Sequence, residues 1–342
     1  MVAAIGVANE ALSTEEGEPS ALARIHHELV RAILAHRELV HADADDRLSL
    51  EQNVASLMRR SPDAGKAWEL ALMAARRTNA VPAIGRSLDR IDEAGTLQRE
   101  WKGQIEVGFM EPERAELMGC PPGDEVWREP DSGIELARCC APWQTTALGR
   151  LRSLAEMPTI PPKSNRNDVA DQRFAPLIKR AKRVVVLDRF LGINTLKTSN
   201  GSRGELEWFL DIIGQHGVDV ALAVFTTGDG VAGKEDRTTA IRQRLTEIWA
   251  CAGQRGGLAE LKLFIGPDIR ENGGRVFKFP HDRHMRFDDA GYVMTSGLDR
   301  FRRETTRGSW SLSYVWQQLG VKRLIDEEDR ARLVTGAPHI FN

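Results

Sequence analysis

Phe279-Pro280-His281-Asp282-Arg283-His284-Met285-Arg286-Phe287-Asp288 is the stretch on which the fold turns. It carries a histidine (His281), a base two residues on (Arg283) and an acid seven residues after the histidine (Asp288). Successive side chains of a strand point to opposite faces, so on a strand His281 and Arg283 share one face. An imidazole and a guanidinium placed this way converge on a single phosphate. Arg grips two phosphate oxygens with a planar fork and does not readily give up a proton, so its part is charge stabilisation. Asp282 and His284 point the other way.

The flanking sequence extends the pattern. Downstream, Asp288-Asp289-Ala290-Gly291 is a turn signal, Tyr292 to Ser296 reads as a short strand, and Gly297-Leu298-Asp299-Arg300 leads through a small-residue turn into a helix. Upstream, Val184-Val185-Val186-Leu187 is a continuous apolar run ending at Asp188-Arg189, as a buried parallel strand would. Gly204 to Ile213 reads as a helix, Val218 to Phe225 as a strand, Asp236 to Ala252 as a helix and Leu261 to Ile265 as a third strand. Asn272-Gly273-Gly274 is a tight turn, and Val276 to Arg286 carries the motif, with Pro280 inside it as an edge or bulge signal. Alternating strands and helices imply a layered α/β sheet, whose ligands gather near strand ends. Asp188, Arg189 and His281 are expected to meet there.

The His281, Arg283 and Asp288 spacing is that of the H-x-K-x4-D motif, with Arg283 at the Lys position. The chain resembles the phospholipase D superfamily over roughly residues 170–320 of this sequence. More closely, its H-D-R and G-L-D-x-F signatures resemble the phospholipase-D-like C-terminal domain found beside MIT modules. The superfamily follows its motif with a Gly/Ser turn carrying Asn; here the turn reads Thr295-Ser296-Gly297-Leu298-Asp299, with Asp299 one place late. The resemblance implies a metal-independent phosphodiesterase, most simply a nuclease in bacterial anti-phage or anti-plasmid defence, that needs no cofactor. In it His281 would attack phosphorus, Arg283 would neutralise the phosphoryl oxygens, Asp288 or Asp299 would orient the imidazole, and Ser296 would donate to phosphate. Lys278, Arg300, Asp188 and Arg189 would help bind substrate. The family's chemistry uses two histidines. With one motif in the chain, the second comes from a partner copy in a homodimer, or from His284, His216 or His339. The alternative implied by relatives with the H-D-R form is an inactive module that binds nucleic acid, another phosphate ligand or a protein.

Composition sets the bounds. At 342 residues with 42% hydrophobic and 28% charged side chains, the sequence reads as a soluble globular protein of two domains. It has no apolar run of the roughly 18 residues that span a bilayer. Residues 1–20 carry Glu10, Glu15, Glu16 and Glu18 and no basic region, unlike a secretory signal. Cys120, Cys139, Cys140 and Cys251 form no C-x2-C pair, so reduced thiols in a cytoplasmic protein are expected. Residues 1–155 hold 18 Lys and Arg against 25 Asp and Glu, a net −7; residues 156–342 hold 29 against 24, a net +5. The half with the motif is the basic half, which favours a polyanionic partner such as nucleic acid. Gly228 to Lys234 fits the glycine and lysine spacing of a phosphate loop, but Glu235 stands where Ser or Thr is required.

The N-terminal half reads as mainly helical α+β. Residues 1–19 form a loose acidic tail and 20–156 a domain that offers a surface for a protein partner. In it, helices cover Ala21 to Val40, Ser49 to Met58, 64–77 and 83–94, with strands at Gln104 to Phe109 and Gly133 to Ala137. His26, His27, His36 and His41 have no i, i+4 metal-ligand spacing and read as surface or core-edge residues. Residues 157–169, with Pro161-Pro162 and a polar tail, read as a linker, and 170–342 as the phospholipase-D-like α/β domain.

Overall fold

Residues 4–12, 19–36, 38–40, 44–75, 87–102, 104–124, 126–138, 153, 156–197, 204–229, 236–252, 256–272 and 275–341 are described by the structure, a computed structural model. The chain is mixed α/β and divides into two units, residues 2–154 and 155–342.

In the first unit, β1 (Ala4–Val7) lies between β2 (Glu38–Val40) and β3 (Val107–Phe109), parallel to both. β4 (Val126–Arg128) pairs antiparallel with β5 (Glu135–Ala137), which runs parallel to β3. The order is therefore β2-β1-β3-β5-β4. The expected acidic tail thus contains a strand flanked on both sides, with Ile5 fully buried. The reason is packing: Ala-Ile-Gly-Val is too short to show periodicity, yet it fits between two neighbours, and a Cβ on Gly6 would come within 2.6 Å of Leu88 Cδ1. The helices are α1 (Pro19–His36), α2 (Ala44–Arg60), α3 (Pro62–Ala75), α4 (Ala94–Trp101) and α5 (Pro112–Leu117). Pro62 opens α3, where its missing N–H costs nothing. The helix read at Ala21 to Val40 ends early, its last residues turning into β2. The helix read at 83–94 is a short 3₁₀ turn, Leu88–Arg90, followed by α4; residues 81–86 lie outside the described set. His26 is a core residue, fully buried, with Trp68 Nε1 donating to its Nδ1 at 3.0 Å. His41, Cys139, Cys140 and residues 230–235 of the phosphate-loop-like stretch also lie outside the described residues.

The second unit is built on an eight-stranded sheet. Its strands are β6 (Thr159–Ile160), β7 (Arg183–Leu187), β8 (Val220–Thr227), β9 (Leu258–Gly266), β12 (Arg283–Phe287), β13 (Ala290–Met294), β14 (Trp310–Val315) and β15 (His339–Phe341). A separate hairpin joins β10 (Ile269–Asn272) to β11 (Arg275–Lys278). The turn read at Asn272 to Gly274 falls partly on residues 273–274, outside the described set, but Asn272 pairs with Arg275 across it. The sheet order is β15-β9-β8-β7-β12-β13-β14-β6, with β7, β8 and β9 mutually parallel. Residues 157–169 are not a linker. Ile160 pairs with Trp310, and Arg166–Val169 begins a helical segment, α6, that runs through a π turn (Ala170–Phe174) into Ala175–Ile178. Pro161-Pro162 interrupts the strand rather than connecting two domains.

Both faces of the sheet are covered, which is why β7 is a continuous apolar run. On one face Val185, Leu187, Ala223, Phe225, Phe264 and Phe279 cluster with Ala331 of α10 (Gln318–Thr335). On the other, Phe174 of α6 makes ring contacts with Phe287, Tyr292, Phe301 and Phe209, the last on α8 (Glu205–His216). Two further helices, α7 (Leu191–Thr195) and α9 (Thr238–Ala252), complete the unit. The single strand expected over Val276 to Arg286 is two strands. β11 stops at Lys278 and β12 starts at Arg283, because Pro280 brings no N–H to a ladder.

Candidate functional site

The C-terminal ends of the parallel strands β7 and β8 meet the start of β12 and the end of β13 along one edge of the sheet. The antiparallel register His284↔Leu187 and Arg283↔Met294 sets this arrangement. Alternation along β12 decides which side chains face the site. Asp282 accepts from Arg323 at 2.8 Å, His284 Nε2 lies 3.4 Å from Glu328 Oε1, and Arg286 donates twice to Glu328 at 2.6 Å. Both partners, Arg323 and Glu328, are on α10. Arg283 turns to the opposite face, as the two-residue period requires.

Arg283 Nε lies 3.7 Å from Asp188 Oδ1, and its guanidinium sits 4.9 Å from the centre of the Phe190 ring. Asp188 directly follows β7 and is 1% exposed. Burial pushes its carboxyl up to about 6, against the pull of the backbone N–H groups of Leu298 and Phe190, each donating at 3.0 Å, and of the Arg283 charge. The Leu298 contact needs a special turn. Gly297 has φ +38°, and a Cβ there would collide with Asp188 Oδ2. The turn is then tied down: Arg302 donates to the fully buried Glu205 at 3.0 and 3.1 Å, and Phe301 stacks on Trp208 at 4.7 Å. Local desolvation raises the Asp299 carboxyl, while Arg283 and Arg300 pull it down. Arg300 Nη2 donates to Ser296 Oγ at 3.1 Å.

A second ion pair borders the first. Arg189 donates to Asp268, whose carboxyl is raised by burial against the attraction of Arg189 and Lys278. The hydroxyls of Thr226 and Thr227, at the end of β8, donate to the Arg189 carbonyl at 3.2 and 2.9 Å and fix its backbone.

The expected site residues therefore divide. Asp188, Arg283, Ser296, Asp299, Arg300 and Arg189 gather at this edge, with Lys278 close to Asp268. His281 stands in the exposed connection before β12, not on the strand beside Arg283, and makes no hydrogen bond or ion pair with a described residue. Asp288 is elsewhere. It follows β12 at its far end, about 15 Å along the strand, has φ +48°, and accepts from the backbone of Lys182 and Arg183 at 2.8 and 3.1 Å. It anchors the start of β7 and orients no imidazole. His284 is fully buried against Glu328. His216 closes α8 at the opposite sheet edge, 3.4 Å from Asp171, and His339 is on the outermost strand. Sequence reading missed Phe190 and Asp268. Both follow a buried parallel strand within three residues, which is the signal that could have found them.

Among the described residues no group of three or more His, Cys, Asp or Glu could hold a metal ion, and no helix is long and apolar enough to cross a membrane. No family model and no curated protein matches the chain. Among solved structures, the chain is similar to TrmBL2, an archaeal chromatin protein whose structure shows a novel mode of DNA binding. The identity is 9%, the TM-score 0.24, and the match covers 53% of this chain and 56% of that one. The chain thus spans little more than half the length of that relative, and a likeness at this TM-score carries no argument.

Proposed function

We propose that the second unit is a phospholipase-D-like domain that binds phosphodiesters, nucleic acid foremost, at the strand edge around Arg283. The observation that carries this reading is the placement of Arg283, stacked on Phe190 and backed by a buried carboxylate, on the edge that also presents Arg189 and Arg300. A guanidinium held in this way has little rotamer freedom left to lose on gripping phosphate oxygens. Net charge +5 in residues 156–342 adds long-range attraction for a polyanion.

A second reading, cleavage, is favoured by His281, which is exposed and engaged by no described side chain. In that chemistry the imidazole forms a P–N bond as the P–O bond to the leaving oxygen breaks, and a second imidazole gives that oxygen its proton. Water then attacks phosphorus and releases His281. His284, His216 and His339 all stand away from His281, so the second imidazole would come from another copy of the chain.

One experiment separates the readings. Labelled DNA and RNA are incubated with the protein in EDTA over a series of salt concentrations. Binding should weaken with salt, with a slope of about −0.7 per phosphate contact on single strands. It should fall in Arg300→Gln and Lys278→Gln. Absence of binding at low salt overturns the proposal. Metal-independent cleavage that disappears in His281→Ala replaces binding with catalysis.

A further inference from the structure

A cleft opens at the other end of the same strands, on the face that α10 covers. Near the candidate site that face is filled by Leu187, Phe225, Phe264 and Phe279. Toward the N-terminal ends of β7 and β8 the side chains shrink to Ala221 and Ala223, and the space between sheet and helix widens to a cleft of about 360 Å³. Its walls are Phe264 and Pro338. Its rim is three cations: Arg183, which begins β7, Lys262 of β9 and Arg332 of α10. No carboxylate among the described residues lines it.

The three cations are incompletely matched. Lys262 is paired with Glu260 at 2.6 Å, whereas among the described residues the one carboxylate near Arg332 is Asp329, whose Oδ1 lies 3.8 Å from Nε. The Arg183 side chain has no hydrogen bond or ion pair with a described residue. Arg332 is held in place by the rings beneath it, its guanidinium 4.9 Å from the centre of Phe264 and 5.3 Å from that of Phe225, and its Nε is buried without a hydrogen-bond partner. That Nε faces Asp329 Oδ1 at a distance too long for a hydrogen bond, so an incoming anion would supply the guanidinium with acceptors it lacks. The volume lies in the range of small-molecule sites, and an apolar floor with a few convergent polar groups is how such sites are built.

We propose that this cleft binds a small organic anion, with a phosphate or carboxylate head held between Arg183, Lys262 and Arg332 and a flat apolar body laid over Ala221 and Ala223. The head gains charge-assisted hydrogen bonds, and the body fills space that the helix leaves open. The site is separate from the edge around Arg283, about 15 Å away along β7, and does not depend on what that edge does.

Isothermal titration of the full chain with adenosine monophosphate and with benzoate tests the two heads, and adenosine tests the body without a head. At least one anion should bind, and adenosine should bind at least about tenfold more weakly if the phosphate is the head. Arg332→Gln and Lys262→Gln should each weaken the anion, and Ala221→Leu, which fills the floor, should abolish it. Arg300→Gln at the other edge should leave it unchanged. Absence of binding by both anions at about 1 mM overturns the proposal. So does an affinity that Arg332→Gln and Lys262→Gln leave intact. These two rim variants decide the matter even if Ala221→Leu perturbs folding.

Discussion

Asp188 and Glu328 are two buried carboxylates with opposite electrostatics. Burial alone would raise Glu328, but the hydrogen bonds from Arg286 and His284 outweigh it and hold this carboxyl below the usual range. Glu328→Ala leaves a guanidinium and an imidazole buried without their acceptor. Urea unfolding should show a loss of about 3–5 kcal/mol. A loss near zero would mean that the trio adds nothing to the fold. Asp188 is raised to about 6, with Arg283 and Asp299 as the charged groups facing it. A carboxyl with a folded-state pKa above its unfolded value binds its proton more readily when folded. It therefore costs stability above pH 6 and returns stability as pH falls toward the unfolded value. Between pH 7 and pH 5 this amounts to roughly 1–1.5 kcal/mol in favour of the folded state. The pH dependence should flatten by that amount in Asp188→Asn. An unchanged profile would show that Asp188 titrates normally.

At the scale of elements, β1 and β12 repay attention. β12 could be read from sequence because its period of two is intact: Asp282, His284 and Arg286 go to α10, and Arg283 goes to the other face. What could not be read is that the strand begins at Arg283. Pro280 was a visible signal, but only the pairing of β11 with β10 shows that the chain leaves the main sheet before it. His281 was thereby separated from Arg283. β1 was invisible for a different reason. Four small and branched residues beside an acidic run resemble a tail, and their burial comes from β2 and β3, the latter a hundred residues away. Because Ile5 is fully buried in β1, Ile5→Ala should cost about 2–5 kcal/mol, measured by denaturant unfolding of the first unit's transition. A loose segment would show no change.

At the scale of the whole molecule, the charge division follows the division into units, acidic in residues 1–155 and basic beyond. Under the cleavage reading the chemistry needs two imidazoles at one phosphate, and among the described residues of the second unit His281 alone stands near the edge. The protein should then be dimeric at assay concentration. Mixing His281→Ala chains with wild-type chains should abolish activity in the heterodimers. Activity that falls only in proportion to the wild-type fraction would show that each chain carries a complete site.

What the sequence determined by itself was local. The apolar run of β7 and the alternation around Arg283 are properties of neighbouring residues, and so is the turn at Gly297. From these a layered α/β sheet could be read, with Asp188 and Arg189 at a strand end; His281, expected to join them there, does not, and Arg283 stands beside Asp188 instead. What only the tertiary structure decided depends on distant partners. Asp288 became the anchor of β7 because the antiparallel register carried it to the far end of β12. The proline-rich stretch became an edge strand because Trp310 was there to pair with Ile160. Register and burial are set by residues far apart in the chain, and the spacing of neighbours along it carries no record of them.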